Sequence, residues 1–245
     1  MTCKTFEFTA FAETDLLDGT SPYATDRIDD FGSAGFKHGG FATLNRGPGD
    51  LAIPDGSHDG YPGGRTSSTE VHGTGDDDEI DHFMGGYGQN IYGFAGNDTI
   101  TAGYADDKVF GGLGDDEIYA NAGNDVVVGD VGDDLLFGQD GDDSIHAGDG
   151  MDSMSGGNGD DFIFLTDDGQ TDTIYFVAGE DQDVIDNFEL GIDKVALANF
   201  GISSFAELEG MITYSGDQAM IDFGGGDVLI FTDLDGPLGA NDFLL

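Results

Sequence analysis

Aspartate recurs every nine residues through the middle of the chain, and this spacing is the strongest chemical signal in the sequence. The residues are Asp98, Asp107, Asp116, Asp125, Asp134, Asp143, Asp152 and Asp161. Each follows a glycine-rich stretch, which favours turns whose backbone carbonyl oxygens can act as ligands. Carboxylate and carbonyl oxygens are the ligands that hard divalent cations prefer. We therefore predict metal ligation by these eight carboxylates, and we assign no catalytic residue and no site for another cofactor.

The aspartates belong to eight contiguous nine-residue units that run from Gly93 to Phe164. The sixth position is always Asp, the eighth is aliphatic or Met, and the fourth is Gly except at Ala105. Each unit predicts a six-residue turn and then a three-residue strand whose middle residue points inward. Because one unit buries only one side chain, successive units must stack. We expect them to alternate between two parallel sheets, with 18 residues per coil.

Stacking of this kind sorts the aspartates into two columns. One column contains Asp98, Asp116, Asp134 and Asp152, and the other contains Asp107, Asp125, Asp143 and Asp161. Neighbouring parallel strands lie about 4.8 Å apart, so stacked carboxylates repel each other unless a cation lies between them. Mixed carboxylate and carbonyl ligands suit calcium better than magnesium, and the gaps in the two columns predict about six Ca²⁺ ions. We expect folding and calcium binding to be coupled.

The charge of the chain restricts its partners. It has 50 acidic and 7 basic residues and a net charge of -43 at pH 7. Such a surface repels phosphate backbones and anionic lipids, so we expect no nucleic-acid partner. No run reaches the roughly 18 apolar residues that a membrane helix needs, so we expect no membrane span. A Sec-type signal peptide is not expected either, because the first residues lack a basic region followed by an apolar run.

Few other residues suggest chemistry. No histidine begins the HExxH motif of zinc proteases, and neither a GxSxG nor a phosphate-binding loop occurs. His72 and His82 leave open a further metal site near the start of the repeat, against the simpler interpretation that they are solvated turn residues. His146 occupies the ninth, outward position of its unit, and we expect it at the surface.

Charge and composition divide the chain into three predicted parts. Residues 1–70 hold five of the seven basic residues and are interpreted as a β-rich cap or small module. Residues 71–164 form the calcium-binding roll, and residues 165–245 form a β-rich capping domain. The capping domain is expected to contain a short helix that begins near Phe205, after Ser203 or Ser204. The predicted fold class is therefore all-β, a parallel β-roll (β-helix) of nonapeptide repeats with a C-terminal β-rich cap.

The nine-residue units resemble the GGxGxDxUx nonapeptide of the RTX family, the haemolysin-type calcium-binding repeat. The resemblance implies calcium in the turns of a parallel β-roll, and export by a type I secretion apparatus into an extracellular medium rich in calcium. The C-terminal sequence, ending in Asp242-Phe-Leu-Leu245, is similar to the secretion-signal region of type I secreted RTX proteins. The units depart from the repeat at several positions, where we expect weaker sites around Ala105 and Met151. The departures are Phe94, Asn121, Asp130 and Gln139 at the second position, Ala105 at the fourth and Met151 at the fifth.

The sequence favours a secreted calcium-binding protein whose roll folds on binding extracellular Ca²⁺. Two alternatives stay open. One is a small enzyme, a hydrolase or lyase, with its catalytic unit in residues 1–70. The other is an adhesion or matrix module that binds anionic extracellular polysaccharide through exposed calcium.

Overall fold

The computed structural model describes residues 70–82 and 87–245, together with the backbone of one strand at Thr43–Arg46. These residues lie within one compact unit, Gly39–Leu245. The interpretation of residues 1–70 as a cap, module or enzyme therefore falls almost wholly outside the described residues. Within the described ranges, no helix is long and apolar enough to cross a membrane.

Two β-sheets run side by side, and the chain alternates between them. The first sheet has nine strands. Their spatial order is β1 (Thr43–Arg46), β3 (Asp78–Asp81), β5 (Thr99–Thr101), β7 (Glu117–Ala122), β9 (Leu135–Asp140), β11 (Ser153–Asn158), β13 (Thr173–Val177), β15 (Lys194–Ala198) and β19 (Phe243–Leu244). The second sheet has ten strands. Their spatial order is β16 (Ile212–Ser215), β17 (Gln218–Gly224), β18 (Asp227–Thr232), β14 (Gln182–Asp186), β12 (Phe162–Phe164), β10 (Ser144–Asp149), β8 (Val126–Val131), β6 (Lys108–Leu113), β4 (Asn90–Ala95) and β2 (Glu70–His72).

Pairing within both sheets is parallel except at their ends. Strand β1 pairs antiparallel with β3, and β16, β17 and β18 form an antiparallel meander. Through the repeats each residue pairs with the residue 18 positions later, as Ile118 does with Leu136. This arrangement confirms the predicted parallel β-roll with two units in each coil.

The core of the roll is a thin layer of stacked aliphatic side chains. The eighth residue of every unit is fully buried, and so are the alanines at the first position, such as Ala120. Strands β5 and β12 have the three residues expected from the sequence, whereas β6 to β11 have six each. Strand β6 continues from the seventh position of one unit to the third position of the next, and its pairing with β8 passes over Gly111. Pairing thus skips the first position and resumes at the second, where the residue is left-handed in seven of the eight units.

Both sheets continue without a break past Phe164. Strand β13 pairs with β11, and β14 pairs with β12. The short helix α1 (Phe205–Glu209) begins after Ser204 and buries Leu208. The last coils pack larger side chains than the repeats do, including a cluster of Phe176, Phe200 and Phe223. The β-rich C-terminal region with one short helix is thus confirmed, and the boundaries at residues 70 and 164 stay predictions.

Candidate metal centre

All eight predicted ligands lie inside the turns of the roll. Each is at most 3% exposed. Their backbone N–H groups and their carboxylates are joined into two hydrogen-bonded ladders, one along each edge of the roll. In each ladder, Oδ1 of one aspartate accepts a hydrogen bond from the backbone N–H of the residue one coil earlier. The structure therefore brings the predicted residues together in the two columns that the 18-residue coil requires.

The first ladder joins aspartates that lie beside the nine-stranded sheet. Its N–H to Oδ1 distances range from 2.7 Å at its start to 3.1 Å at its end. Its members are Asp78, Asp98, Asp116, Asp134, Asp152, Asp172 and Asp193. The second ladder lies beside the ten-stranded sheet and starts from the backbone N–H of Gln89, which donates to Asp107. Its further members are Asp125, Asp143, Asp161 and Asp183.

Four ladder aspartates lie outside the eight units and were missed by the sequence analysis. They are Asp78, Asp172, Asp183 and Asp193. The strict nine-residue period excluded them, because they stand 20 to 22 residues from their neighbours in the ladder instead of 18. A local signal could have found them. Each is followed two positions later by a buried Ile or Val, as Asp78 is by Ile80 and Asp193 is by Val195.

The second oxygen of most ladder carboxylates has no protein partner. Oδ2 is buried and accepts no hydrogen bond in seven of the eight predicted ligands. These are Asp98, Asp116, Asp125, Asp134, Asp143, Asp152 and Asp161. A buried carboxylate oxygen without a donor costs free energy on the order of 1–3 kcal/mol or more, so each one implies a group that the protein itself does not provide.

In units that begin with glycine, this oxygen lies close to the first-position backbone. A Cβ at Gly93 would lie 2.3 Å from Oδ2 of Asp98 and 2.6 Å from the carbonyl oxygen of Gly111. A Cβ at Gly129 would likewise lie 2.3 Å from Oδ2 of Asp134 and 2.4 Å from a carbonyl oxygen of the next coil. A carboxylate oxygen from one coil and a carbonyl oxygen from the next therefore approach the same place. Side-chain and backbone oxygens converging in this way are the ligand set that calcium uses.

Burial disfavours the charged form of these carboxylates. It raises the pKa of Asp134 to about 8 and the pKa of Asp116 to about 6, and the accepted backbone hydrogen bond offsets only part of this increase. Burial also raises the pKa of Asp183 to about 9, with the carboxylate of Asp161 adding to the effect. At neutral pH, Asp134 and Asp183 therefore hold a proton unless a cation compensates the charge.

The residues present fit calcium, with ligands that come partly from the backbone. Within residues 70–82 and 87–245, no three His, Cys, Asp or Glu side chains converge on one point. A cation in a turn would thus take its remaining ligands from carbonyl oxygens, which is ordinary for calcium and uncommon for zinc. When bound, calcium would neutralise carboxylates and link one coil to the next.

The three histidines in the described ranges do not form a metal centre with one another. His72 packs edge-on against Tyr92 and Phe94, with ring centroids 5.3 Å and 5.5 Å away. His82 contacts the side chain of Gln89, and burial lowers its pKa. His146 faces outward as expected, but it is half-buried against Phe164.

Comparison with known families identifies the repeat. The model of the RTX calcium-binding nonapeptide repeat matches residues 92–127 and 128–163. Residues 92–163 are RTX calcium-binding repeats. The matched segment contains all seven of the aspartates whose buried Oδ2 atoms lack partners. A search of curated protein sequences finds no match to this chain.

Two solved structures match this chain at low identity and low TM-score. The extracellular lipase LipA from Serratia marcescens is 16% identical, with a TM-score of 0.41 over 74% of this chain and 40% of the lipase. The AlgE6R3 subunit of the Azotobacter vinelandii mannuronan C5-epimerase is 21% identical, with a TM-score of 0.25 over 58% of this chain and 78% of that subunit. The matched part of the lipase is thus well under half of its length. Neither likeness bears on activity, and no comparison supports a polysaccharide partner for this chain.

Proposed function

We propose that this protein is a secreted calcium-binding protein whose RTX roll completes its fold when Ca²⁺ enters the turns. The ligands would be the ladder aspartates with unpartnered Oδ2 atoms, together with carbonyl oxygens from adjacent coils. Calcium would act structurally, by neutralising the buried carboxylates and joining successive coils. No catalytic step is assigned to the described residues.

The observation that carries this proposal is the row of seven buried Oδ2 atoms without hydrogen-bond donors. Oδ1 of each of these seven aspartates is satisfied, since it accepts a backbone N–H from the preceding coil, as Oδ1 of Asp116 does from Asp98. A row of buried, unpartnered carboxylate oxygens is unstable without cations, because the eight units carry 17 acidic residues and one basic residue.

Extracellular calcium would therefore determine where the chain folds. In a cytoplasm low in calcium, repulsion between carboxylates keeps the ladders from closing, which suits a chain that is exported unfolded. The resemblance of the RTX segment and of the C-terminal sequence supports a type I secretion apparatus as the export partner. Export of the full chain should be compared with export of a chain lacking Asp242–Leu245 in a host that has such an apparatus. Equal export of both chains would contradict the assigned role of the C-terminal residues.

Calcium-dependent folding is tested by far-ultraviolet circular dichroism of the full chain in EGTA, in excess Mg²⁺ and in excess Ca²⁺. We expect strand signal to increase on addition of calcium, with magnesium at equal concentration giving little of the change. A strand signal that is the same in EGTA and in calcium would contradict coupled folding. Calcium binding itself, measured by equilibrium dialysis on the same samples, separates a roll that binds without folding from one that does not bind.

A further inference from the structure

One of the eight aspartates in the RTX segment has no free carboxylate oxygen. Oδ1 of Asp107 accepts the backbone N–H of Gln89 at 2.8 Å, as the ladder requires. Its Oδ2 accepts a second backbone N–H, from Gly103, at 2.9 Å. The other seven aspartates leave Oδ2 buried without a donor. At Asp107, a backbone amide thus occupies the oxygen that elsewhere remains for a cation.

The backbone of the turn explains the difference. The N–H that caps Asp107 belongs to the second position of the same unit, four residues earlier. In the other seven units the residue at this position is left-handed, with φ between 74° and 116°. These residues are Phe94, Gly112, Asn121, Asp130, Gln139, Gly148 and Gly157. Gly103 does not adopt a positive φ, so the units with a left-handed second position are the same seven whose Oδ2 atoms lack a partner.

The backbone of this one turn also differs at its fourth position, which is Ala105. The fourth position is a left-handed glycine in every other unit, with φ of +109° at Gly96 and +147° at Gly150. An L-residue other than glycine avoids that conformation, at a cost of roughly 1–2 kcal/mol, and Ala105 does not adopt it. Alanine at the first position is not the cause. Ala120 and Ala147 stand at that position in units whose aspartates, Asp125 and Asp152, keep an open Oδ2.

The same amide cap recurs at the ends of the first ladder. Oδ2 of Asp78 accepts the N–H of Thr74 at 2.5 Å, and Oδ2 of Asp193 accepts the N–H of Glu189 at 2.8 Å. In each case the donor is four residues earlier, as at Asp107. The first aspartate of both ladders is therefore capped by its own turn, and so is the last aspartate of the first ladder.

We propose that Asp107 holds no calcium, that the N–H of Gly103 replaces the cation there, and that Ala105 selects this capped turn. The inference rests on the proposed function, since it concerns which turns of the roll bind Ca²⁺. It removes the gap between Asp107 and Asp125 from the six gaps of the two columns and leaves five within the eight units. The amide-capped turns then mark where each row of calcium ions begins, and these turns can close without calcium.

The test is the number of Ca²⁺ ions bound per chain, measured by equilibrium dialysis and isothermal titration with CaCl₂ on the full-length protein. We expect Asp125→Asn to lose one ion relative to wild type and Asp107→Asn to lose none. The two substitutions are matched, because both aspartates belong to the second ladder and both accept a ladder N–H through Oδ1. Equal losses in the two variants, while wild type binds calcium, would overturn this inference alone. Absence of calcium binding by wild type would overturn the proposed function, and the inference with it.

A gain of binding provides a second test that does not depend on the folding of Asp107→Asn. Ala105→Gly removes the Cβ that disfavours a left-handed fourth position, so we expect this variant to bind one ion more than wild type. Ala102→Gly is the control, because alanine at the first position is compatible with an open Oδ2 elsewhere in the roll. An unchanged ion count in Ala105→Gly, or an equal gain in Ala102→Gly, would contradict the assignment to Ala105.

Discussion

Replacing Asp134 by asparagine separates the cation-binding role of a ladder residue from its hydrogen bonding. The asparagine side chain keeps an Oδ1 that can accept the N–H of Asp116, a bond of 2.8 Å in the ladder. It removes the negative charge and replaces the buried, unpartnered Oδ2 with an amide group. Any effect specific to this variant therefore reports on the oxygen that faces the cation.

The expected magnitude follows from the linkage between binding and folding. A site held at 100 times its Kd contributes about 2.7 kcal/mol to the free energy of unfolding, and its loss in a chain of this size lowers the Tm by roughly 5–10 °C. We expect this decrease for Asp134→Asn in calcium, measured by calorimetry. In EGTA the variant should be no less stable than wild type, because the interaction that was removed needs the cation and asparagine carries no buried charge.

Asp133→Asn is the matched control. Asp133 is the exposed neighbour of Asp134, and its Oδ1 accepts the N–H of Met151 at 2.9 Å. Asparagine already stands at the equivalent fifth position in two other units, where Asn97 and Asn124 accept the same kind of bond. We expect the Tm of this variant to stay within about 2 °C of wild type, since surface substitutions change stability by about 0.5 kcal/mol or less. Equal losses in both variants, or a loss for Asp134→Asn that persists in EGTA, would refute the reasoning.

Three further predictions concern pH, backbone and core. Burial raises the pKa of Asp134 to about 8 and of Asp116 to about 6, from 3.8, so without calcium the folded roll binds more protons than the unfolded chain. The circular dichroism signal of strands in EGTA should therefore be greatest below about pH 4 and should decrease as pH rises through these two pKa values. A strand signal that increases with pH in EGTA would contradict this prediction. Gly114→Ala should lower the free energy of unfolding, measured in urea with calcium, by at least about 2 kcal/mol, because φ is +119° and the new Cβ would lie 2.2 Å from a backbone oxygen. Gly75→Ala is the control and should leave this free energy nearly unchanged, because a Cβ there would have no atom within 4 Å. Ile118→Ala should lower the free energy of unfolding in the same assay by about 2–5 kcal/mol, because Ile118 is fully buried between coils. A decrease below about 1 kcal/mol would contradict a packed core.

The nine-residue period was sufficient to predict the roll because it places one inward-facing apolar residue and one turn aspartate in every unit. One buried side chain per strand forces stacking, and stacking fixes which aspartates become neighbours. Asp172 and Asp183 follow the same rule, but they were missed because longer turns before them break the period. An aspartate followed two residues later by a buried aliphatic residue describes the ladder better than a fixed spacing does.

The two departures expected to weaken binding, Ala105 and Met151, affect the backbone differently. Position four must be left-handed in an open turn, so alanine at 105 changes the backbone. An Asp or Asn at position five donates its N–H to one neighbouring coil and accepts an N–H from the other, as Asp133 does from Met151. Met151 keeps the donated bond but has no side-chain acceptor. At the second position the residue type does not determine the backbone conformation. Phe94 and Gln139 are left-handed there although neither is glycine. The sequence identifies Ala105 as a departure, but only the structure shows the consequence, which is that the Gly103 amide points at Oδ2 of Asp107.

The most direct test of calcium ligation by the ladders is diffraction from crystals grown in calcium, with anomalous differences measured at a long wavelength. The account predicts peaks inside the turns, each beside an open Oδ2 such as that of Asp116, Asp134 or Asp143, and none beside Oδ2 of Asp107. Turns that contain no anomalous peak in saturating calcium, with the same seven Oδ2 atoms buried and unpartnered, would contradict it.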